Sequence, residues 1–273
     1  ELDTPSLLVD LDVLERNIVG MEIRVVGAGK RLRPHTKTHK TVEIAKMQIA
    51  SGAVGLTVAK LGEAEVYADA GFDDIFIANQ IVGAQKVERL IALVKRVKIR
   101  VGVDSREVVE PIAEAATSAG VTVSVMMEVD TGLGRAGVRS PQEALELAQY
   151  LVGREGIHFA GVFTHEGHIC KYEDQKVGAV EAEGRLAQVC ALLESNGIAV
   201  GEISMGSTPG AAHLAKEPLP TELRPGVYVF NDRTQVMFGQ QKPNCALTVL
   251  ATVTSIRSDG RMIVDAGTKS LAS

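Results

Sequence analysis

The sequence predicts a (β/α)8 barrel of the TIM type, followed by a second, β-rich domain. Eight short apolar runs rich in β-branched residues lie between residues 31 and 230, and helix-periodic stretches alternate with them. The early repeats are roughly 20–25 residues long and the later ones carry longer loops, which suits this fold. After residue 230 the alternation stops. Because alternating strands and helices build parallel sheets that helices cover, the pattern favours a barrel.

Each strand is predicted from a run that fits a buried strand, and each helix from apolar residues spaced at three and four positions. The predicted barrel strands are Arg31–His35, Val54–Val58, Ile75–Ala78, Ile99–Val103, Val121–Val129, Ile157–Thr164, Glu202–Met205 and Leu223–Phe230. The helices between them are Val42–Ala50, Lys60–Ala70, Ala84–Val94, Glu107–Ala119, Gln142–Leu151 and Val180–Asn196. A strand at Leu7–Val9 and a helix at Leu11–Met21 precede them. The three prolines of Thr208–Pro220 indicate an irregular loop.

The sequence predicts two domains. We assign residues 1–230 to the barrel and residues 231–273 to the start of a C-terminal β domain, while residues 1–10 are assigned to either. The second domain contains an antiparallel hairpin, predicted from the runs Leu247–Arg257 and Met262–Asp265. The last residues are typical of a strand followed by a polar turn. We therefore expect the given chain to be truncated inside the second domain.

Composition argues against several classes of function. A net charge of −5 and a pI near 5.8 leave no general basic face for nucleic acid. No apolar run approaches the roughly 18 residues of a membrane helix, so we expect no membrane partner. The three cysteines are far apart and form no CxxC pair, which fits a reducing compartment. We expect a cytoplasmic protein.

The basic segment Arg31–Lys40, RLRPHTKTHK, ends the first barrel strand and carries our candidate nucleophile. In a TIM barrel the chemistry lies at the carboxyl ends of the strands. Lys37 stands there beside Lys40, Arg33 and two histidines. Burial and neighbouring positive charge lower the pKa of a lysine and make its amine a usable nucleophile. The alternative is a basic loop that solvates a surface or binds an anionic partner.

The segment Gly132–Gly137 matches the dinucleotide-binding pattern GxGxxG directly after a strand. That pattern must open a helix, whereas the capping box Ser140-Pro141-Gln142-Glu143 delays the helix here to Pro141. We therefore reject a dinucleotide site. Arg135 remains as a cation at the rim that is able to hold an oxyanion, and a surface arginine is the alternative.

Two later strand ends also carry polar groups. Ser204–Gly210 offers backbone N–H groups and hydroxyls to a phosphate, with a plain loop as the alternative. Phe163–His168 places two histidines and a carboxylate beyond the sixth strand. They form either a metal pair or, as we favour, a ring partner for a cofactor. A nucleophilic lysine, a phosphate turn and an arginine for an oxyanion together indicate pyridoxal phosphate, which has an aldehyde, a phosphate and a phenolate oxygen.

A family resemblance rests on five segments, which occur in the order PHTKTHK, MEVDTGLGRAGV, THEGH, MGSTPG and ELRPGVYVFND. They are similar to the D-threonine aldolase and D-serine dehydratase group of pyridoxal phosphate enzymes. This group belongs to the alanine-racemase-like class, fold type III. The similarity covers essentially the whole chain.

The resemblance also implies the site residues. Lys37 bonds the aldehyde of the cofactor, Arg135 lies near its phenolic oxygen, and His165 competes with Arg224 for the pyridine nitrogen. Lys37, Arg135 and His165 are thus the expected catalytic residues, and all three also contact the cofactor. The phosphate is expected to be bound by Gly206, Ser207 and Thr208, and the cradle to be completed by Gly226, Val227 and Tyr228.

The activity implied is that of a lyase acting on a β-hydroxy D-amino acid. An aldolase cleaves Cα–Cβ to give glycine and an aldehyde, whereas a dehydratase gives a 2-oxo acid and ammonia. The resemblance further implies a homodimer and a divalent metal, zinc or manganese, held by a His-x-Cys or His-x-Asp pair. No such pair follows residue 231, so we expect its ligands beyond residue 273. The alternatives are an amino-acid racemase of the same fold and a non-catalytic pyridoxal-phosphate-binding homeostasis protein.

Overall fold

The computed structural model describes residues 2–171, 173–239 and 241–267. The described chain forms two compact units, one of residues 20–226 and one built from both ends of the chain. In chain order the strands are β1 (Ser6–Val9), β2 (Arg31–Leu32), β3 (Leu56–Val58), β4 (Asp74–Ile77), β5 (Lys98–Val103), β6 (Val123–Glu128), β7 (Ile157–Phe163), β8 (Glu202–Met205), β9 (Glu222–Leu223), β10 (Leu247–Leu250), β11 (Val253–Ile256) and β12 (Met262–Val264).

The larger unit contains one eight-stranded sheet, whose strands run in the order β2-β9-β8-β7-β6-β5-β4-β3, and all its pairs are parallel. The residues after β2 close this sheet onto β3. Val54 N donates to Leu32 O at 2.9 Å and Thr57 N donates to Pro34 O at 2.8 Å. This arrangement confirms the predicted (β/α)8 fold class.

The helices are α1 (Leu11–Val26), α2 (Val42–Ala50), α3 (Leu61–Asp69), α4 (Ala84–Val94), α5 (Arg106–Ser118), α6 (Pro141–Gly153), α7 (Gln175–Ser195), α8 (Thr208–Leu214) and α9 (Arg233–Met237). The barrel helices bury one apolar stripe each; α4, for example, buries Val87, Leu90 and Ile91. At α6 the Ser140 hydroxyl accepts from Glu143 N at 3.2 Å, as the capping box predicts. Within the described ranges, no helix is long and apolar enough to cross a membrane.

The centre of the barrel is filled by side chains rather than left open. Phe76, Met126, Ala160 and Phe163 form a buried cluster, in which the rings of Phe76 and Phe163 meet edge to face at 5.0 Å between centroids. These apolar side chains fill the interior of the barrel. In this fold, polar groups that form a site lie at the carboxyl ends of the strands, at the mouth of the barrel.

Two sequence predictions around β9 were wrong. Thr208–Pro220 is not an irregular loop throughout, since α8 begins at Thr208, with Ser207 as its N-cap and a proline in its first turn. The predicted strand Leu223–Phe230 is reduced to Glu222–Leu223. Pro225, which has no N–H to donate, interrupts the ladder there, and a 3₁₀ turn follows at Val227–Val229.

The smaller unit joins the two ends of the chain. β1 pairs antiparallel with β10, in the register Ser6 opposite Leu250 and Val9 opposite Leu247. β11 and β12 form the predicted antiparallel hairpin, but the predicted long strand Leu247–Arg257 is broken into β10 and β11. The hydroxyl of Thr4 donates to Asp265 Oδ2 at 2.6 Å and links the same two ends.

Candidate active site

Lys37 lies in a 3₁₀ turn, Thr36–Thr38, directly after β2. The preceding His35 caps this turn, because its Nδ1 accepts from Lys37 N at 3.4 Å. Solvent reaches the Lys37 side chain, yet enough protein surrounds it that partial burial lowers the pKa of its amine. The charges of Arg135 and Arg224 lower this pKa further, and Glu63 opposes them. The fold thus gives Lys37 the lowered pKa that its sequence context predicts.

Two histidines share this environment. Burial, followed by the charges of Lys37 and Arg224, lowers the pKa of His165 to about 3. The pKa of His35 is also well below its usual value, again because of burial and then the charge of Lys37. Both rings are therefore neutral at physiological pH. Since the charges of Arg135 and Arg224 lower the pKa values of both Lys37 and His165, the structure brings these four residues to the same end of the barrel.

Arg135 is held at the mouth by a carboxylate that the sequence reasoning missed. Glu128, at the end of β6, is buried, and its Oε1 accepts from a terminal nitrogen of Arg135 at 3.4 Å. The other oxygen of Glu128 accepts from Gln80 Nε2 at 2.7 Å. The arginine itself remains about half exposed. Glu128 lies within the segment MEVD, so its place at a strand end was the available signal.

Arg224 is buried and fixed from two sides. Its Nε donates to Ser204 Oγ at 2.8 Å and Nη2 donates to Thr164 O at 2.6 Å. The guanidinium also lies over the rings of Phe163, at 5.2 Å, and Phe76, at 5.4 Å. Among the described residues, its Nη1 has no hydrogen-bond partner. Arg224 is thus a rigid cation with one end available to a ligand.

The predicted phosphate turn follows β8. Gly206 adopts φ +122°, and a Cβ there would lie 2.7 Å from Arg224 N, so the position requires glycine. The Ser207 hydroxyl accepts from Gly210 N at 3.2 Å. Within the described part of the chain, the backbone N–H groups of Ser207 and Gly226 have no hydrogen-bond partner, although both residues are buried. Buried N–H groups without partners point to a ligand.

The N–H of Gly206, unlike those of Ser207 and Gly226, is already bonded within the protein and is not available to a phosphate. It donates to Glu166 Oε2 at 3.0 Å, a contact that the sequence reasoning did not anticipate. Thr208 is the first residue of α8 and is buried. The remaining predicted residues, Val227 and Tyr228, belong to the smaller unit, where they form a 3₁₀ turn with Val229.

The groups present fit pyridoxal phosphate. A lysine with a lowered pKa suits the aldehyde, Arg135 suits the phenolic oxygen, and Arg224 or His165 suits the pyridine nitrogen. The backbone N–H groups of Ser207 and Gly226, which have no partner among the described residues, suit a phosphate. Among the described residues, no group of three or more His, Cys, Asp or Glu side chains is placed to hold a metal ion.

Comparisons with known proteins identify the family of this chain. The model of the alanine racemase N-terminal domain family matches residues 9–234. This chain belongs to that family. The D-threonine aldolase of Arthrobacter sp is 37% identical over 98% of this chain and 73% of the relative. The D-threo-3-hydroxyaspartate dehydratase of Delftia sp. (strain HT23) is 36% identical over 97% of this chain and 72% of the relative.

A solved structure gives the same result for the alanine-racemase-like fold. The crystal structure of D-threonine aldolase from Filomicrobium marinum superposes with a TM-score of 0.94 at 34% identity, over 99% of this chain and 75% of the other. Within the family this chain groups with the pyridoxal-phosphate-dependent lyases, and it is an enzyme of that class.

Proposed function

We propose that this enzyme acts on a β-hydroxy D-amino acid. The observation that carries the proposal is Lys37, whose pKa is lowered by burial and by the charges of Arg135 and Arg224. Its relatives named D-threonine aldolase, D-threo-3-hydroxyaspartate dehydratase and D-serine dehydratase support the substrate class. The substrates in these names share a hydroxyl on Cβ and the D configuration at Cα. Retro-aldol cleavage to glycine and an aldehyde, and dehydration, are the two reactions consistent with them.

Lys37, Arg135 and His165 have different proposed roles. Bound pyridoxal phosphate supplies an electron sink for charge that develops at Cα. Because its pKa is lowered, a larger fraction of Lys37 is neutral at a given pH, and its Nζ is able to remove or return the proton at Cα. Arg135, which Glu128 holds, would bind the phenolic oxygen. His165 is neutral and adds no positive charge beside the ring.

Arg224 is our choice for the partner of the pyridine nitrogen. Its Nε and Nη2 are engaged by Ser204 and Thr164, which leaves Nη1 as the end available to a ligand. An arginine remains protonated, so it donates a hydrogen bond and keeps the ring nitrogen free of a proton. A weaker electron sink follows, and stabilisation at the reacting carbon must then come from other groups.

Two further features are proposed from the resemblance alone. We propose a homodimer, and activation by zinc or manganese. No described residues form a site for such an ion, and the proposal assigns the ion to none of them. Separately, the cysteine pattern leads us to propose the cytoplasm as the compartment.

The test is the visible absorption spectrum of the purified protein with pyridoxal phosphate, before and after addition of D-threonine and then L-threonine. We expect a Schiff-base band that only the D isomer perturbs and that Lys37→Ala removes. Product analysis then separates glycine and aldehyde from a 2-oxo acid and ammonia. Absence of the band in the wild-type protein would overturn the cofactor assignment. Perturbation by both isomers would overturn the D-specific assignment.

A further inference from the structure

Glu166 is a buried carboxylate to which the proposed chemistry gives no role. It lies in the segment THEGH after β7 and has no exposed surface. Its Oε2 accepts from Gly206 N at 3.0 Å. Its Oε1 is also buried and has no hydrogen-bond partner among the described residues. A buried carboxyl oxygen without a hydrogen-bond partner is costly, so this arrangement requires an explanation.

The surroundings of Glu166 place it behind the phosphate turn. A Cβ added at Gly210 would lie 2.8 Å from Glu166 Oε1 and 2.9 Å from Ile169 Cδ1. The carboxylate is therefore packed between the first turn of α8 and the 3₁₀ turn Gly167–Lys171. Glu166 has no exposed surface, so it lies beneath the turn and is not itself open to solvent.

The contact with Gly206 fixes a backbone that is otherwise easy to displace. Gly206 lies at φ +122°, a region open to glycine, which has more backbone freedom than any other residue. A hydrogen bond to a carboxylate is roughly twice as strong as one between neutral groups. Gly206 N is held by Glu166, whereas the next N–H of the turn, that of Ser207, has no partner among the described residues.

We propose that Glu166 is a positioning residue for the cofactor's phosphate, which it serves by holding the Gly206–Thr208 turn from behind. The inference rests on the proposed pyridoxal phosphate site. It assigns Glu166 no contact with substrate or with the cofactor ring. The residue acts through Gly206, so its loss affects a phosphorylated ligand and spares an otherwise identical ligand that lacks the phosphate.

The experiment compares pyridoxal phosphate with pyridoxal, by absorbance titration of the cofactor-free protein. For Glu166→Ala we expect the Kd of pyridoxal phosphate to rise roughly tenfold or more, since a hydrogen bond to a charged group is lost. The Kd of pyridoxal should change by less than about twofold. Inorganic phosphate should also lose its protection against thermal unfolding in this variant.

Two more variants keep the test decisive if Glu166→Ala folds poorly. Glu166→Gln keeps an acceptor for Gly206 N and should lie between wild type and Ala. Gly210→Ala keeps the carboxyl group but places a Cβ 2.8 Å from its Oε1 and 3.1 Å from Ser207 Oγ, so it disturbs the same turn and should shift the Kd in the same direction as Glu166→Ala. The matched control is Glu183→Gln. Glu183 Oε1 accepts from Leu219 N at 3.1 Å, and neither residue belongs to the Gly206–Thr208 turn. This variant should therefore bind both ligands as the wild-type protein does.

Each result has one meaning. Weakening of pyridoxal phosphate alone supports the proposal. Equal weakening of both ligands, or a Kd for pyridoxal phosphate within twofold of wild type in all three variants, overturns it. A wild-type protein that binds neither ligand at Lys37 overturns the proposed function itself, which separates the two failures.

Discussion

Lys37 shows how much of the site depends on single charges. Burial is the largest cause of its lowered pKa, and the next is Arg135. A lysine reacts only as the neutral amine, so a lowered pKa moves its reactivity to lower pH. Replacing Arg135 by Gln removes one of the charges that oppose protonation. We therefore expect the pKa of Lys37 to rise in Arg135→Gln, and labelling of Lys37 at a fixed pH near 8 to slow.

The measurement is the pH dependence of Lys37 labelling by an amine reagent in the cofactor-free protein, followed by mass spectrometry. Arg139→Gln is the control, since Arg139 influences Asp130 and is not among the causes that shift Lys37. A midpoint that stays the same, or falls, in Arg135→Gln would show that the charge of Arg135 does not lower the pKa of Lys37.

The candidate site could be predicted where one segment contains both the reactive group and its surroundings. Lys37 lies in a run of basic residues, and Arg135 lies in a motif directly after a strand. Glu128 and Glu166 were missed for the opposite reason. Glu166 acts on Gly206, 40 positions away, and nothing in either segment marks the partner. Burial of both carboxylates is a property of the folded barrel and not of their local sequence.

At the scale of elements, the junction between β7 and β8 depends on one glycine. Gly161 has φ +153°, and a Cβ there would lie 2.0 Å from Glu202 O in the neighbouring strand. Backbone atoms cannot move aside as the end of a side chain can. We expect Gly161→Ala to lower the free energy of unfolding by at least about 1–3 kcal/mol, the cost of holding alanine in such a backbone conformation, before the clash is added.

Urea unfolding followed by circular dichroism measures this loss. Gly184→Ala, in the middle of α7, is the matched control, because nothing lies within 4 Å of the added Cβ. That variant should be more stable by about 0.5–1 kcal/mol, the helix preference of alanine over glycine. Equal stability of Gly161→Ala and wild type would mean that β7 and β8 pair without this close approach.

Element boundaries explain the errors made from sequence. The segment Leu223–Phe230 looks like one β-rich run, yet its ladder stops at Pro225, and Gly226 lies so close to His35 O that a Cβ would be 2.7 Å away. Likewise, Thr208–Pro220 contains three prolines, but the first of them stands at the start of α8, where proline is tolerated. In the first case a proline within the run ends the strand, and in the second a proline stands in the first turn of a helix, where it is tolerated.

At the scale of the whole molecule, the fold class was predictable because alternation of strands and helices recurs along the chain. The pairing of β1 with β10 was not, because the hydrogen-bonded residues are some 240 positions apart and each strand is only four residues long. The ion pairs inside the barrel were not predictable either. Arg33 on the segment after β2 contacts Glu222 of β9 and Asp74 of β4, three segments that meet only when the sheet closes.

Arg33 therefore offers a test of the closed barrel as a unit. Its side chain is 1% exposed; Nε donates to Glu222 Oε2 at 2.7 Å and Nη1 donates to Asp74 Oδ1 at 2.6 Å. Glu222 is equally buried, so Arg33→Met leaves its charge without the cation that faces it. We expect a loss of about 3–5 kcal/mol in the free energy of unfolding, the usual cost of removing one partner of a buried ion pair.

The double variant Arg33→Met with Glu222→Gln should recover part of this loss, because no uncompensated charge remains between the two positions. Arg31→Met is the control. Arg31 is 40% exposed and lies 3.4 Å from Glu202, so its loss should cost no more than about 1 kcal/mol. All three are measured by urea unfolding. If the double variant is less stable than Arg33→Met, Glu222 stabilises the barrel through other contacts, such as the hydrogen bond from Ser204 Oγ at 2.7 Å, and its pairing with Arg33 is not what closes the sheet.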